Sequence, residues 1–216
     1  ANDKVRSRTL LRAGGVPVPK FVALDRGSKP RIDFDPPYIV KPSASAASAG
    51  VYADSLVKKR SAVGRLAARI WERFDQQAVC DEFIVGREIR VGAVDDKSGT
   101  PRLTGVAEWG FADGWGFKTE AIRMNPRVRT AQSVTRNRVK MRREMTRELE
   151  RLIRESMRIL GVIGYATMDV RVDAQEQIYV LELNSNPGLW AGGALWNRPT
   201  FEANIRRIVE SALRLA

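Results

Sequence analysis

The chain of 216 residues carries 37 Lys and Arg against 25 Asp and Glu, a net charge of +12, with 44% hydrophobic and 29% charged residues. That length and balance suit one domain, or two small lobes sharing a sizeable core, and exclude wholesale disorder. Zero histidines exclude Ser-His-Asp triads, imidazole bases and histidine-zinc sites, leaving Lys, Arg, carboxylates, amides, hydroxyls and backbone to carry any chemistry.

Residues 1–13 read as a helix with Asp3 near its start, Gly14-Gly15 as a stop and Val16-Pro17-Val18-Pro19 as an extended exit. Residues 37–42 form a short apolar strand in which Pro42 forces Lys41 out of helical geometry. The stretch 43–50 contains only small residues. From 61 to 74, Leu66, Ile70 and Phe74 lie four apart, one face of a helix. Strands are expected at 78–84, 88–94 and 102–108, followed by a Gly- and Trp-rich loop over 109–116.

Between residues 121 and 158, twelve basic residues face four acidic ones, which places +8 of the net charge in 38 residues. Such a patch can attract nucleic acid or phosphates. With no RNA- or DNA-binding motif beside it, a solvated helix face is the expectation, with Glu150/Arg154 and Arg151/Glu155 paired at i,i+4. Met145, Leu149, Leu152, Met157 and Leu160 keep helical spacing up to Gly161. Strands follow at 165–172 and 178–184 around a turn at 173–177. A last helix over 200–213, capped by Thr200, turns Ile205, Ile208 and Leu213 inward. The class is α+β. No run approaches the roughly 20 apolar residues of a membrane span, and a single cysteine, Cys80, read as a packed core residue, fits the cytoplasm.

The two late strands carry the chemistry. In Ile178-Tyr179-Val180-Leu181-Glu182-Leu183-Asn184, Glu182 and Asn184 lie two apart and leave one face together. The neighbouring strand places a single acid, Asp169, in an apolar run. Antiparallel pairing would bring the three groups together, and two crowded carboxylates need a positive charge between them. Hard oxygen donors of this kind suit Mg²⁺ shared with phosphates. The competing reading is a polar stripe facing solvent.

At these residues the sequence resembles the ATP-grasp ligases, and within them the D-alanine–D-alanine ligase-like branch. The resemblance runs through Asn2-Asp3-Lys4, Ala13-Gly14-Gly15-Val16-Pro17, Tyr38-Ile39-Val40-Lys41-Pro42-Ser43, Asp81-Glu82-Phe83-Ile84-Val85-Gly86-Arg87-Glu88, Gly164-Tyr165-Ala166-Thr167-Met168-Asp169 and Leu181-Glu182-Leu183-Asn184-Ser185-Asn186-Pro187-Gly188. It implies an ATP-grasp fold of two α+β lobes with the nucleotide cleft between them: a leading helix over 1–16, a smaller lobe over 17–84 and a larger lobe over 85–216. The N-terminal substrate domain of the family is expected to be absent, so that a longer protein, a partner or a homo-oligomer would complete the site.

The resemblance also implies residue roles. Lys4 and Lys41 would reach ATP phosphates, Ser48 would contact them from the small-residue turn, and Glu82, Phe83 and Ile84 would form the hinge against adenine. Glu88 would hold the ribose. Asp169, Glu182 and Asn184 fall at the magnesium (or manganese) positions, and Lys41 and the Gly188 amide at the reacting centre. The implied activity is an ATP- and Mg²⁺-dependent carboxylate–amine ligase acting through an acyl phosphate, with amino acids or a peptide as substrates. The lysine of the family's lid falls at Lys118 or Arg123, and Trp115 and Phe117 either cover the site or pack.

Departures from the family bear on substrate. Thr167 stands where those ligases carry an arginine, and Arg171, on the same strand face as Asp169, either partly substitutes for it or pairs with an acid outside the site. Ala47 replaces a serine, and Trp190 and Trp196 reshape the acceptor side. These changes point away from D-alanyl-D-alanine as product, and they leave a non-catalytic ATP-binding module as the alternative.

Overall fold

A computed structural model of the chain describes residues 3–29, 31–45, 48–111, 116–125, 127–128, 135–189 and 201–213. Helix α1 (Lys4–Ala13) starts at Asp3, whose carboxylate accepts the Arg6 amide and satisfies one of the amides left open at a helix start. Strands β1 (Phe21–Leu24), β2 (Tyr38–Pro42), β3 (Leu56–Val57) and β4 (Ala78–Glu82) form an antiparallel sheet in the order β1-β4-β2-β3. Helix α2 (Val63–Phe74) covers one side of it.

Strand alternation divides that sheet cleanly. Tyr38, Val40, Ala78 and Cys80 pack against Val63, Leu66, Ala67 and Ile70. The intervening residues Ile39, Lys41, Val79 and Asp81 take the opposite face, because Ile39 is registered with Asp81 and Lys41 with Val79. Cys80 is fully buried, and burial pushes its thiol up to about 12.

The second sheet is larger. Strands β5 (Arg87–Asp95), β6 (Pro101–Gly110), β7 (Thr135–Arg138), β8 (Tyr165–Val172) and β9 (Ile178–Asn184) run antiparallel in the order β7-β6-β5-β8-β9. Helix α3 (Glu120–Met124) lies between β6 and β7 in the chain. Helix α4 (Arg143–Ile159) lays Met145, Leu149, Leu152, Ile153 and Met157 on Ile89, Val91, Met168, Val170 and Val180. Its outer face pairs Arg151 with Glu155 and Arg154 with Glu150, as expected, and Arg151 also with Glu148. Helix α5 (Phe201–Leu213) sets Ile205 and Ile208 against Val94 and Tyr165.

Two β-bulges shape this sheet. Between β8 and β9, Asp169 is registered with Glu182 but Val170 with Val180, so Leu181 is the extra residue. The bulge lets Ile178, Val180 and Leu183 all point to the core while Glu182 and Asn184 emerge together on the other face.

Several expectations are corrected. The strand expected over 78–84 ends at Glu82, because the chain turns through Gly86 to enter the second sheet. At Gly86, with φ +151, an added Cβ would lie 2.0 Å from the Val172 carbonyl oxygen. Trp109 and Gly110 belong to β6, paired with β7, rather than to the loop. Leu213 is exposed instead of inward, as the last residue of its helix. The sequence reading missed β1, β3, β7 and α3. Thr200 lies outside the described residues, as do Ala47, Trp115, Trp190 and Trp196. Among the described residues no helix is long and apolar enough to cross a membrane.

Candidate active site

The polar faces of the two sheets meet beside α1. On α1, Lys4, Arg8 and Leu11 share one side at spacings of four and three. Leu11 joins the core of the large sheet, and Arg8 reaches both layers. Its Nε donates to the Leu181 carbonyl at 2.9 Å, and its Nη1 donates to the Asp81 carboxylate. The bulged residue is therefore also the anchor for the leading helix.

Asp81 gathers two cations. Its second oxygen lies 2.8 Å from the Lys41 ammonium, and both residues are nearly sealed from water. Burial alone would raise this carboxyl; Arg8 and Lys41 outweigh it and hold it below the usual range. Burial pulls the Lys41 ammonium below its ordinary value, with Asp81 opposing. Lys4 is likewise lowered by burial, to about 8, with Glu182 opposing and Lys41 adding to the drop. Its ammonium donates to the Ser45 carbonyl and its amide to Ser43. Asp81, one residue before the expected hinge, is an interior ion-pair acid. Glu82 faces the Lys20 amide at 3.3 Å.

On the large sheet the alternating residues of β5 and β8 form a charge checkerboard. Glu88 is registered with Arg171, Arg90 with Asp169, and Gly92 with Thr167. Arg171 donates to Glu88 at 3.0 Å and to the carbonyls of Ile84, Gly86 and Gly116, with its guanidinium 4.7 Å from the Phe83 ring centroid. The acid that Arg171 pairs with, Glu88, is one of the candidate site residues rather than an acid outside the site. Arg90 forks onto Asp169, Nε to Oδ1 at 2.6 Å and Nη2 to Oδ2 at 2.5 Å.

Glu182 sits directly across from Asp169, and Asn184 across from Thr167. The antiparallel pairing expected from the sequence thus brings the three oxygen-bearing groups onto one face. Asn184 Oδ1 accepts the Asn186 amide at 3.1 Å, and the buried Thr167 hydroxyl has no hydrogen-bond partner among the described residues. Among the described residues no three His, Cys, Asp or Glu side chains cluster to hold a metal; the donors here are two carboxylates and an amide. Lys118 completes the face. Its ammonium lies 3.9 Å from the Trp109 ring centroid, and burial lowers it against the pull of Asp169.

Other candidate residues are placed as follows. Phe83 and Ile84 are buried where the chain passes between the sheets, and Phe83 meets Phe117 edge-on at 5.9 Å. Ser48 adopts φ +60 in the turn beyond β2. Gly188 is exposed in the segment after β9. Arg8 and Arg90 escaped the sequence reading, although both left a signal. Arg8 lies one helical turn after Lys4, and Arg90 lies two residues after Glu88 in an otherwise apolar strand.

A family model described as D-ala D-ala ligase C-terminus matches residues 10–194. An uncharacterized protein, y4sG, of Sinorhizobium fredii is 30% identical over 192 residues, which are 87% of this chain and 54% of that protein. The D-alanine–D-alanine ligase of Geotalea uraniireducens is 28% identical over 195 residues, 88% of this chain and 57% of the ligase. The chain thus spans about half the length of the curated relatives it matches. Among solved structures, D-alanine–D-alanine ligase from Bacillus anthracis complexed with ATP shares the fold at a TM-score of 0.74 and 20% identity, covering 99% of this chain and 66% of that one. The VanG D-Ala:D-Ser ligase from Enterococcus faecalis does so at 0.75 and 17%, covering 96% and 60%.

Proposed function

Because the chain belongs to the family of D-alanine–D-alanine ligase C-terminal domains, we propose that it is the nucleotide-binding part of an ATP-dependent carboxylate–amine ligase. The observation that carries this reading is the convergence on Glu182. Lys4 of α1, Lys41 of β2, Arg90 of β5 and Lys118 all feel this one acid. Cations drawn from four segments around two carboxylates make a surface fit for a polyphosphate and a hard cation, and poorly suited to anything neutral.

In this reading Lys4 and Lys41 hold the phosphates, with Ser48 closing over them from the turn. The backbone of Glu82, Phe83 and Ile84 meets the adenine edge, and Glu88, steadied by Arg171, holds the ribose. Asp169, Glu182 and Asn184 are the donors for Mg²⁺ or Mn²⁺, and their oxygen chemistry fits such an ion. Such an ion, held by these three residues, would supply neutralisation of phosphate charge. The lobes would be residues 17–84 and 85–216, with 1–16 as the leading helix.

The proposed reaction needs no imidazole. A substrate carboxylate oxygen takes the γ-phosphoryl group of ATP, releasing ADP and forming an acyl phosphate. An amine then attacks that carbonyl, phosphate leaves, and an amide remains. The protein's part is positioning and charge neutralisation by its lysines, with the Gly188 amide facing the reacting acyl group. Amino acids or a peptide are the proposed substrates, and an ATP-consuming reaction beside a single buried thiol fits the cytoplasm.

Nucleotide binding and phosphate release by the full-length protein over a panel of D- and L-amino acids test this. Asp169→Ala and Glu182→Ala are expected to abolish metal-dependent ATP binding and amino-acid-stimulated phosphate release. Unchanged nucleotide binding in both variants would overturn the assignment. Intact ATP binding with no phosphate release across the panel would favour a binding module, the reading that Thr167 in place of the family's arginine supports.

A further inference from the structure

The metal-binding face already contains a cation. Arg90 covers both oxygens of Asp169 with its forked guanidinium, and the two side chains are only about a tenth exposed, 12% and 10%. A small divalent ion binds a carboxylate oxygen at about 2.0–2.1 Å. Placed on either Asp169 oxygen, it would stand beside the guanidinium with no anion between them. The surroundings do not relieve this conflict, since Lys4, Lys41 and Lys118 also face this region. Of the further acids Glu182, Glu88 and Asp81, Glu88 is held by Arg171 and Asp81 by Arg8 and Lys41, so cations still outnumber acids.

The next cross-strand pair along the same face is Gly92 with Thr167. The first has no side chain, and the second is short, with a buried hydroxyl lacking a hydrogen-bond partner among the described residues. A guanidinium leaving Asp169 finds there, beside the Asn184 that lies across from Thr167, an oxygen able to accept a hydrogen bond. A polyphosphate arriving over this face would offer it a second forked partner, since guanidinium matches phosphate as well as carboxylate.

We infer that Arg90 gates the metal site: it holds Asp169 closed to a free divalent cation and releases it only to a cation that arrives with a nucleotide. The inference rests on the proposed assignment of Asp169, Glu182 and Asn184 as metal donors and adds a regulatory element to it. Arg90 is a positioning residue acting through Asp169. The physical basis is charge balance. A free ion brings positive charge alone to a face where cations outnumber acids, whereas a nucleotide complex brings the anions that satisfy both the ion and the displaced guanidinium.

Titration of the full chain with Mn²⁺, followed by the loss of the free-ion electron paramagnetic resonance signal, tests this with and without a non-hydrolysable ATP analogue. In the wild type, binding is expected only with the analogue. Arg90→Met is expected to bind Mn²⁺ without nucleotide, with a dissociation constant lowered by about tenfold or more. Arg90→Gln, neutral but still able to hydrogen-bond Asp169, should behave likewise and serves if the methionine variant does not fold. Arg90→Lys keeps the charge and should keep the nucleotide requirement, and adding Asp169→Asn to Arg90→Met should abolish the new binding. The gate is overturned if Arg90→Met and Arg90→Gln bind Mn²⁺ alone no better than the wild type while Asp169→Asn loses nucleotide-dependent binding. If Asp169→Asn keeps that binding, the metal assignment itself falls, and the gate with it.

Discussion

The ammonium of Lys4 is held near 8 chiefly by burial, with Glu182 and Asp81 pulling it back up. An unfolded lysine titrates near 10.5, so between about pH 8 and 10.5 the unfolded chain keeps a proton that the folded chain has lost. Stability linked to this group therefore rises with pH across that window. Nucleotide binding should show the opposite trend. Phosphate favours the charged lysine, so binding takes up a proton near pH 8 to 9 and weakens as pH climbs further. Calorimetry in two buffers of different ionisation enthalpy measures the uptake, which should fall in Lys4→Arg, with Lys41 accounting for the remainder. Asp81 poses a sharper question, because its replacement leaves two buried cations without their acid. Asp81→Asn should cost about 3–5 kcal/mol in a urea unfolding experiment, and a loss below about 1 kcal/mol would mean that solvent reaches Arg8 and Lys41.

The turn through Gly86 delivers the chain from the small sheet to the large one, with its backbone pressed against Val172. Gly86→Ala forces a side chain into that contact at a positive φ, and a drop of about 2–3 kcal/mol in stability is expected from thermal melting. Misplaced hinge residues should weaken ATP binding in the same variant. Elements of this kind differ in how openly the sequence announces them. Helix α4 and strands β8 and β9 are long and strongly patterned, and their expected bounds nearly coincide with the observed ones. Strand β1 is four apolar residues without alternation, and only pairing with β4 makes it a strand. The Leu181 bulge was equally silent, because register belongs to two strands and cannot be read from one. The acids of the site were legible because polar residues stand out in apolar runs. Their partners were not: Arg8 meets Asp81 across 73 positions and Arg90 meets Asp169 across 79, distances that only the fold closes.

At the scale of the whole molecule, α1 ties the layers together, since Arg8 binds Asp81 of one sheet and the Leu181 carbonyl of the other. Any change in the angle between the sheets must carry Lys4, one turn earlier on the same helix. Arg8→Met should loosen that tie and raise the dissociation constant for nucleotide more than Arg12→Met, whose guanidinium only stacks on Phe21. Equal effects in a side-by-side titration would sever helix position from phosphate binding. The solitary thiol of Cys80 offers a clock for the same movements. Walled in by α2 and starved of thiolate, it reacts with a chromogenic disulfide only during moments when the small layer parts. Colour development under native conditions therefore times the breathing of that layer, and a nucleotide clasped between the sheets should slow it.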